Sequence, residues 1–138
     1  MAFIKSRGEF KEQVIAHKNK IKSLFTAEEI VAIQHLIRRV PVADNVIEYA
    51  VKVVGKTRPN SNLATDLVNE YVAWGAGPRA SQNLILAAKA HAVVRGKFSP
   101  DIEDVQAVSN GVLRHRILKN YKAAAEGLSV EQIIKSLL

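Results

Sequence analysis

Apolar residues recur along the chain at the three- and four-residue intervals of an α-helix, and turn residues cut that pattern into short segments. Residues 9–25 place Phe10, Val14, Ile21 and Leu24 on one side and Lys11, Lys18 and Lys22 mostly on the other, an amphipathic helix in need of a partner surface. Thr26-Ala27-Glu28-Glu29 reads as a capping box, opening a helix that runs to about Arg39 with Ile30, Ile33 and Ile37 inward; Pro41 stops it. Asp44 is expected to cap the next helix, through Val54, with Val46, Ile47, Ala50, Val51 and Val54 apolar and Gly55 as its end.

Residues 59–77 form one long connection, polar at Asn60, Ser61, Asn62 and Thr65 and then apolar at Leu67-Val68 and Tyr71-Val72. Trp74, the only tryptophan, is expected to anchor in the core beneath the glycines that follow. From residue 78 to 95 two apolar faces appear, Leu84, Ala88 and Ala92 on one and Leu86, Ala90 and Val93 on another, which suits the central helix of a bundle ending at Gly96. Ser99-Pro100-Asp101 predicts a capped restart with Ile102, Val105 and Val108 inward; Asn110-Gly111 predicts a break, and Val112 to Ile117 a further short helix. Ser129-Val130-Glu131-Gln132 repeats the capping box ahead of an apolar stripe, Val130, Ile133, Ile134, Leu137 and Leu138. The expected fold is all-α: a compact bundle of five to six helices with one long loop.

At 138 residues the chain is expected to build one domain with a single core. It has no cysteine, which excludes disulfides and thiolate metal sites and suits a reducing cytoplasm. No stretch resembles a signal peptide or a membrane span, so a cytoplasmic, membrane-free protein is expected. The net charge of +7 gathers at the beginning, where residues 1–58 hold eleven Lys/Arg against six Asp/Glu. Without aromatic residues interleaved as stacking platforms, these lysines read first as a solvated face and only secondly as a nucleic-acid surface.

Candidate chemistry centres on Gly75-Ala76-Gly77-Pro78-Arg79. Two glycines permit uncommon backbone angles, Pro78 suits a first helical position, and Arg79 then projects from the first turn. An arginine beside free first-turn amides and the positive helix end can hold a phosphate, or it is a surface side chain after a turn. Gly55-Lys56-Thr57 mimics the end of a phosphate-binding loop. The glycine required five residues earlier is Ala50 and Pro59 breaks the chain afterwards, so Lys56 and Arg58 read instead as helix-end cations. His17, His35, His91 and His115 lack metal-ligand spacing or a triad arrangement, and Asp101, Glu103 and Asp104 read as acids at a helix start. Arg114, His115 and Arg116 cannot share one face, so at least one should turn toward the body or a neighbour.

Gly75-Ala76-Gly77-Pro78-Arg79-Ala80-Ser81, Leu84, Ala87-Ala88-Lys89-Ala90, Arg95-Gly96-Lys97, Ser99-Pro100-Asp101-Ile102-Glu103-Asp104-Val105 and Val112-Leu113-Arg114-His115-Arg116 together resemble the C-terminal lid of MoxR-family AAA+ ATPases, the methanol dehydrogenase regulator-like group. Thr57-Arg58-Pro59 fits the same pattern. The resemblance covers residues 26–138 as a helical lid domain and, more weakly, residues 1–25 as the linker helix from an ATPase core.

It implies that Arg79 is sensor 2, reaching nucleotide phosphates from a turn containing Gly77 and Pro78, and that Arg114, His115 and Arg116 contact the core or a neighbouring subunit. It further implies ATP and Mg2+ in a parent ATPase, none held tightly by this chain alone, and no catalytic residue here. The implied partners are the AAA+ core, neighbouring subunits of a ring and a protein with a metal-binding adhesion domain, in a chaperone-like role assembling or activating other proteins. Walker A, Walker B, sensor 1 and an arginine finger have no counterpart in these residues. The readings from another class are a basic helical module that binds nucleic acid, with residues 112–119 in a groove, and a protein-interaction domain associating through Phe10, Val14 and Ile21.

Overall fold

The computed structural model describes residues 23–138, so the helix expected at 9–25 and nearly all of the proposed linker lie outside the described residues. The chain divides into two compact units, Met1–Gln34 and His35–Leu138. The described residues hold seven helices and one two-stranded ribbon.

In α1 (Ala27–Arg39) the capping box forms as the sequence requires: Glu29 N–H donates to Thr26 Oγ1 at 3.2 Å and Thr26 N–H to Glu29 Oε2 at 2.7 Å. The interior expected for this helix does not follow. No residue of α1 is buried; Ile30 and Ile33 are 47% and 38% exposed, and only Ile37 is half-buried. The 3.6-residue stripe gave the helix correctly but cannot say what covers it.

The larger unit is organised by α2 (Asp44–Lys56) and α4 (Arg79–Val94), with α5 (Ile102–Leu113) packed on both and α7 (Val130–Leu137) packed on α5. Ala80, Leu84, Ala88 and Ala92 recur every fourth residue of α4 and are all buried. Three alanines in that stripe let neighbouring backbones come close, and the α4–α5 contact is the most extensive between helices among the described residues. From α2 come Val46, Ala50, Val53 and Val54, and from α7 Ile133, Ile134 and Leu137. Burying a side chain of the Leu or Ile class contributes about 1.5–3 kcal/mol, so this cluster dominates the stability of the unit. Ser129 and Gln132 close the capping box expected before α7, at 3.1 and 2.8 Å.

Several local expectations are corrected. Asp44 is the first residue of α2 and not its cap; Ala43 holds the extended cap position without a side-chain bond, and Asp44 still favours the positive helix end. Ile47 and Val51 face outward, while Val53 takes an inner place. Ser99 does not cap α5 because its hydroxyl donates to the Pro41 carbonyl at 3.2 Å; Asp101 caps instead, in a box with Asp104. Ile102 consequently sits on the outer side of the first turn. Asn110-Gly111 does not break the helix, which continues through both to bury Leu113, and the helix expected afterwards is a turn leading into a strand.

The long connection contains α3 (Asp66–Tyr71), capped by the Thr65 hydroxyl, and β1 (Val72–Trp74). Antiparallel to β1 runs β2 (Leu118–Lys119), followed by α6 (Tyr121–Ala125). These pieces raise the helix count above the five or six expected, while the fold remains all-α apart from the ribbon. Trp74 is not a core anchor: it is 75% exposed. A register irregularity between Val72 and Trp74 turns the ribbon, so Val72 occupies the buried place and Trp74 lies outside beside Leu118.

Candidate functional site

The turn before α4 is set by the end of α2. Thr57, which follows α2, is completely buried, and its hydroxyl donates to the Val54 carbonyl at 2.7 Å while accepting from Ala76 N–H at 2.9 Å. Arg58 Nε donates to the Ala76 carbonyl at 2.9 Å. Both backbone polar groups of Ala76, itself buried, are thus held by two consecutive residues from another element. Satisfying buried amides in this way avoids a cost of about 1–3 kcal/mol for each one left bare.

Gly75 serves close approach here, since a Cβ on it would lie 2.3 Å from the Thr57 carbonyl oxygen. Neither Gly75 nor Gly77 has a positive φ, and a Cβ on Gly77 would meet nothing within 4 Å. The uncommon backbone angles expected at these two positions are therefore not what the turn uses.

From this turn Pro78, with φ −58° and ψ −32°, leads into α4. Ala80 N–H bonds to Gly77 O at 2.9 Å and Ser81 N–H to Pro78 O at 3.1 Å, so the helix begins without a side-chain cap. Arg79 is exposed, no acid occupies the first turn, and among the described residues its guanidinium has neither a hydrogen bond nor an ion pair. Such a cation at a positive helix end favours an anion and has not been given one by its neighbours.

Lys56 is tied instead to the far end of the chain, Nζ donating to Leu137 O at 3.0 Å. With Gly55 inside a helix and the Thr57 hydroxyl occupied, residues 55–57 do not make a phosphate loop.

The opposite end of α4 is closed. Gly96, at φ +74°, ends the helix, with Lys97 N–H on Ala92 O at 2.9 Å and Gly96 N–H on Val93 O at 3.0 Å. Asp104 is 1% exposed, and its carboxylate meets His91 Nδ1 at 2.7 Å, Lys97 Nζ at 3.0 Å and the Asp101 N–H at 3.0 Å. Burial alone would raise its pKa. The Asp101 amide, Lys97 and His91 outweigh that and hold the carboxyl well below the usual range. Lys97, bonded to Asp101 at 2.7 Å and to Asp104, is held above its ordinary value, Asp101 contributing most. Asp101 and Asp104 do sit at a helix start, but Asp104 also joins α4 to α5.

Arg114 and His115 are exposed at the end of α5, whereas Arg116 turns back so that its guanidinium donates to the Val112 carbonyl. Arg79 and this triplet are not brought together by any hydrogen bond or ion pair among the described residues. A groove of 670 Å³ lies between α2 and α4, with Ile47, Val51 and Leu86 as its apolar wall and Arg38 and Lys89 among its lining residues. It does not include Arg79. Thr57 and Arg58 are the site residues that local sequence reasoning missed. Their partners lie 19 and 18 residues away, and the Thr-Arg-Pro pattern was the only signal.

The chain belongs to the AAA lid domain family, whose model matches residues 64–137. It is a lid of the MoxR type. Over 118 residues it is 37% identical to Chaperone MoxR1 of Mycobacterium tuberculosis, covering 81% of this chain and 31% of that protein. It is 26% identical over 118 residues to the uncharacterized protein YeaC of Bacillus subtilis, covering 86% and 34%. A crystal structure described as a candidate ATPase from Cytophaga hutchinsonii superposes with a TM-score of 0.78 at 27% identity, covering 94% of this chain and 41% of that one. The chain thus spans about a third of the length of the curated relatives, 31% and 34%. Among the described residues no helix is long and apolar enough to cross a membrane.

Proposed function

We propose that this chain closes over nucleotide as the lid of a longer MoxR-type ATPase, with Arg79 as sensor 2 and residues 1–25 joining the lid of residues 26–138 to the core. The observation that carries the reading is the Arg79 guanidinium, without a partner among the described residues, at the uncapped start of a 16-residue helix. The surroundings suit ATP phosphates: a permanently charged guanidinium, the positive end of α4 following Gly77 and Pro78, and no acid in that turn to repel them. ATP supplies the phosphate bond that is hydrolysed. Arg79 contributes charge stabilisation, and because it sits on the rigid central helix, its hold on the terminal phosphate is also a hold on the position of the whole lid.

No chain residue is assigned to Mg2+ in this reading; the core and nucleotide hold it. Exposed Arg114 and His115 contact the core or an adjoining subunit of a ring, while Arg116 shapes the end of α5. The relative named a chaperone supports a chaperone-like role in assembling or activating other proteins; a cytoplasmic location and a partner with a metal-binding adhesion domain complete the proposal. The lid family match leaves the nucleic-acid and free-standing interaction readings without support of their own.

The test is Arg79→Ala in the ATPase carrying its core. Hydrolysis is expected to fall on the order of 100-fold or more while the lid unfolds at an unchanged temperature. Unchanged hydrolysis would remove the sensor assignment.

A further inference from the structure

We propose that Thr57 is a positioning residue for Arg79, acting through Ala76, with Gly75 as the contact that seats the turn on the end of α2. The inference rests on the reading of Arg79 as phosphate-facing. Its basis is that the Arg79 side chain has no partner of its own among the described residues, so the backbone beneath it sets where the guanidinium stands. That backbone is fixed at one point. Ala76 gives its N–H to Thr57 Oγ1 at 2.9 Å and its C=O to Arg58 Nε at 2.9 Å, and Arg79 follows three residues later.

A buried threonine with only a filling role needs just the local carbonyl, here Val54 O at 2.7 Å. The second bond, to an amide 19 residues away, is the one that ties α2 to the start of α4. Gly75 makes the tie possible, because any side chain there would push the turn off the Thr57–Arg58 backbone, with contacts of 2.3 to 2.7 Å. Movement of α2 against α4 is thereby passed to the guanidinium. Displacement of a catalytic contact by about 1 Å can cost on the order of 100-fold in rate.

The experiment has two arms. In this chain by itself, amide hydrogen exchange read by NMR should show Ala76 N–H protected in the natural protein and in Thr57→Ser, and unprotected in Thr57→Val, which fills the same space without the hydroxyl. In the ATPase carrying its core, Thr57→Val should lower kcat about 10- to 100-fold with Thr57→Ser near the natural rate. Added to Arg79→Ala, it should cost no more than about twofold further, because positioning has nothing left to position.

If Arg79→Ala lowers the rate but Thr57→Val costs the same factor with and without Arg79, Thr57 is a packing residue and the inference falls alone. If Arg79→Ala leaves the rate unchanged, the sensor reading and the inference fall together. Gly75→Ala provides a second displacement of the turn should Thr57→Val fail to fold, and it must show the same dependence on Arg79.

Discussion

The two ends of α4 are built in opposite ways. At its C-terminal end Gly96 closes the helix, and Asp104 gathers His91, Lys97 and the Asp101 amide around one buried carboxylate. At its N-terminal end there is no side-chain cap and no acid, and Arg79 stands without a partner among the described residues. One end has its polar groups matched internally; the other is held by its backbone and leaves its charge unmatched. Internal matching gives stability, whereas a charge held in place but unpaired is what a ligand needs.

Substitutions at the two ends should therefore separate activity from stability. The largest effect is expected for Arg79→Ala, on the order of 100- to 1,000-fold in ATP hydrolysis by the intact enzyme, with a stability change within about 0.5 kcal/mol in urea titration of this chain. Asp104→Ala should do the reverse, lowering stability by about 2–3 kcal/mol. That is less than a fully enclosed ion pair would lose, because the side chains of His91 and Lys97 keep about a third of their surface in water, 29% and 31%.

Acid sharpens the same contrast. A carboxyl held below its ordinary pKa stabilises the fold above the usual carboxylate range, and that contribution fades as pH falls through the range toward the depressed folded value. Melting temperature should fall progressively as pH drops below about 5, and Asp104→Asn should flatten that part of the curve while Arg79→Ala leaves its shape unchanged.

The smallest expected difference lies between the two glycines of the turn. Gly75→Ala should cost about 1–3 kcal/mol from overpacking on Thr57, and Gly77→Ala, with open space and ordinary φ, less than about 0.5 kcal/mol in the same titration. Equal costs would mean that the turn does not rest on α2 in the way described.

Those glycines also mark where reading the sequence reached its limit. Local signals carried well: Thr26 and Ser129 cap their helices, Gly96 stops α4, and Leu84, Ala88 and Ala92 form the buried stripe, because each depends on residues at most a few turns apart. Arg79 stood out through its motif and its place at a helix start. What failed was long-range. Trp74 looked like a core residue because nothing nearby in sequence reveals β2, and Asn110-Gly111 looked like a break because packing of Leu113 overrides a weak local preference. Asp104 was placed correctly at a helix start, yet its burial against His91, 13 residues away, required the α4–α5 hairpin to be known. Thr57 fell to the same blindness.

The β1–β2 ribbon has a consequence for the order in which the molecule assembles. Beside it, Asn120 Nδ2 reaches back to the Glu70 carbonyl at 2.7 Å across 50 residues, and Asn120 N–H bonds to Tyr71 O at 2.9 Å. Chain closures of that span carry an entropic cost that local helices do not, so the ribbon should form after α4 and α5 have paired. In pulse-labelled refolding, the amide of Leu84 should gain protection before that of Asn120; the reverse order would contradict this sequence of events. Because β1 runs directly into Gly75, the strand that finishes the fold also delivers the turn ahead of Arg79, and an incompletely folded lid would not present its arginine in working position.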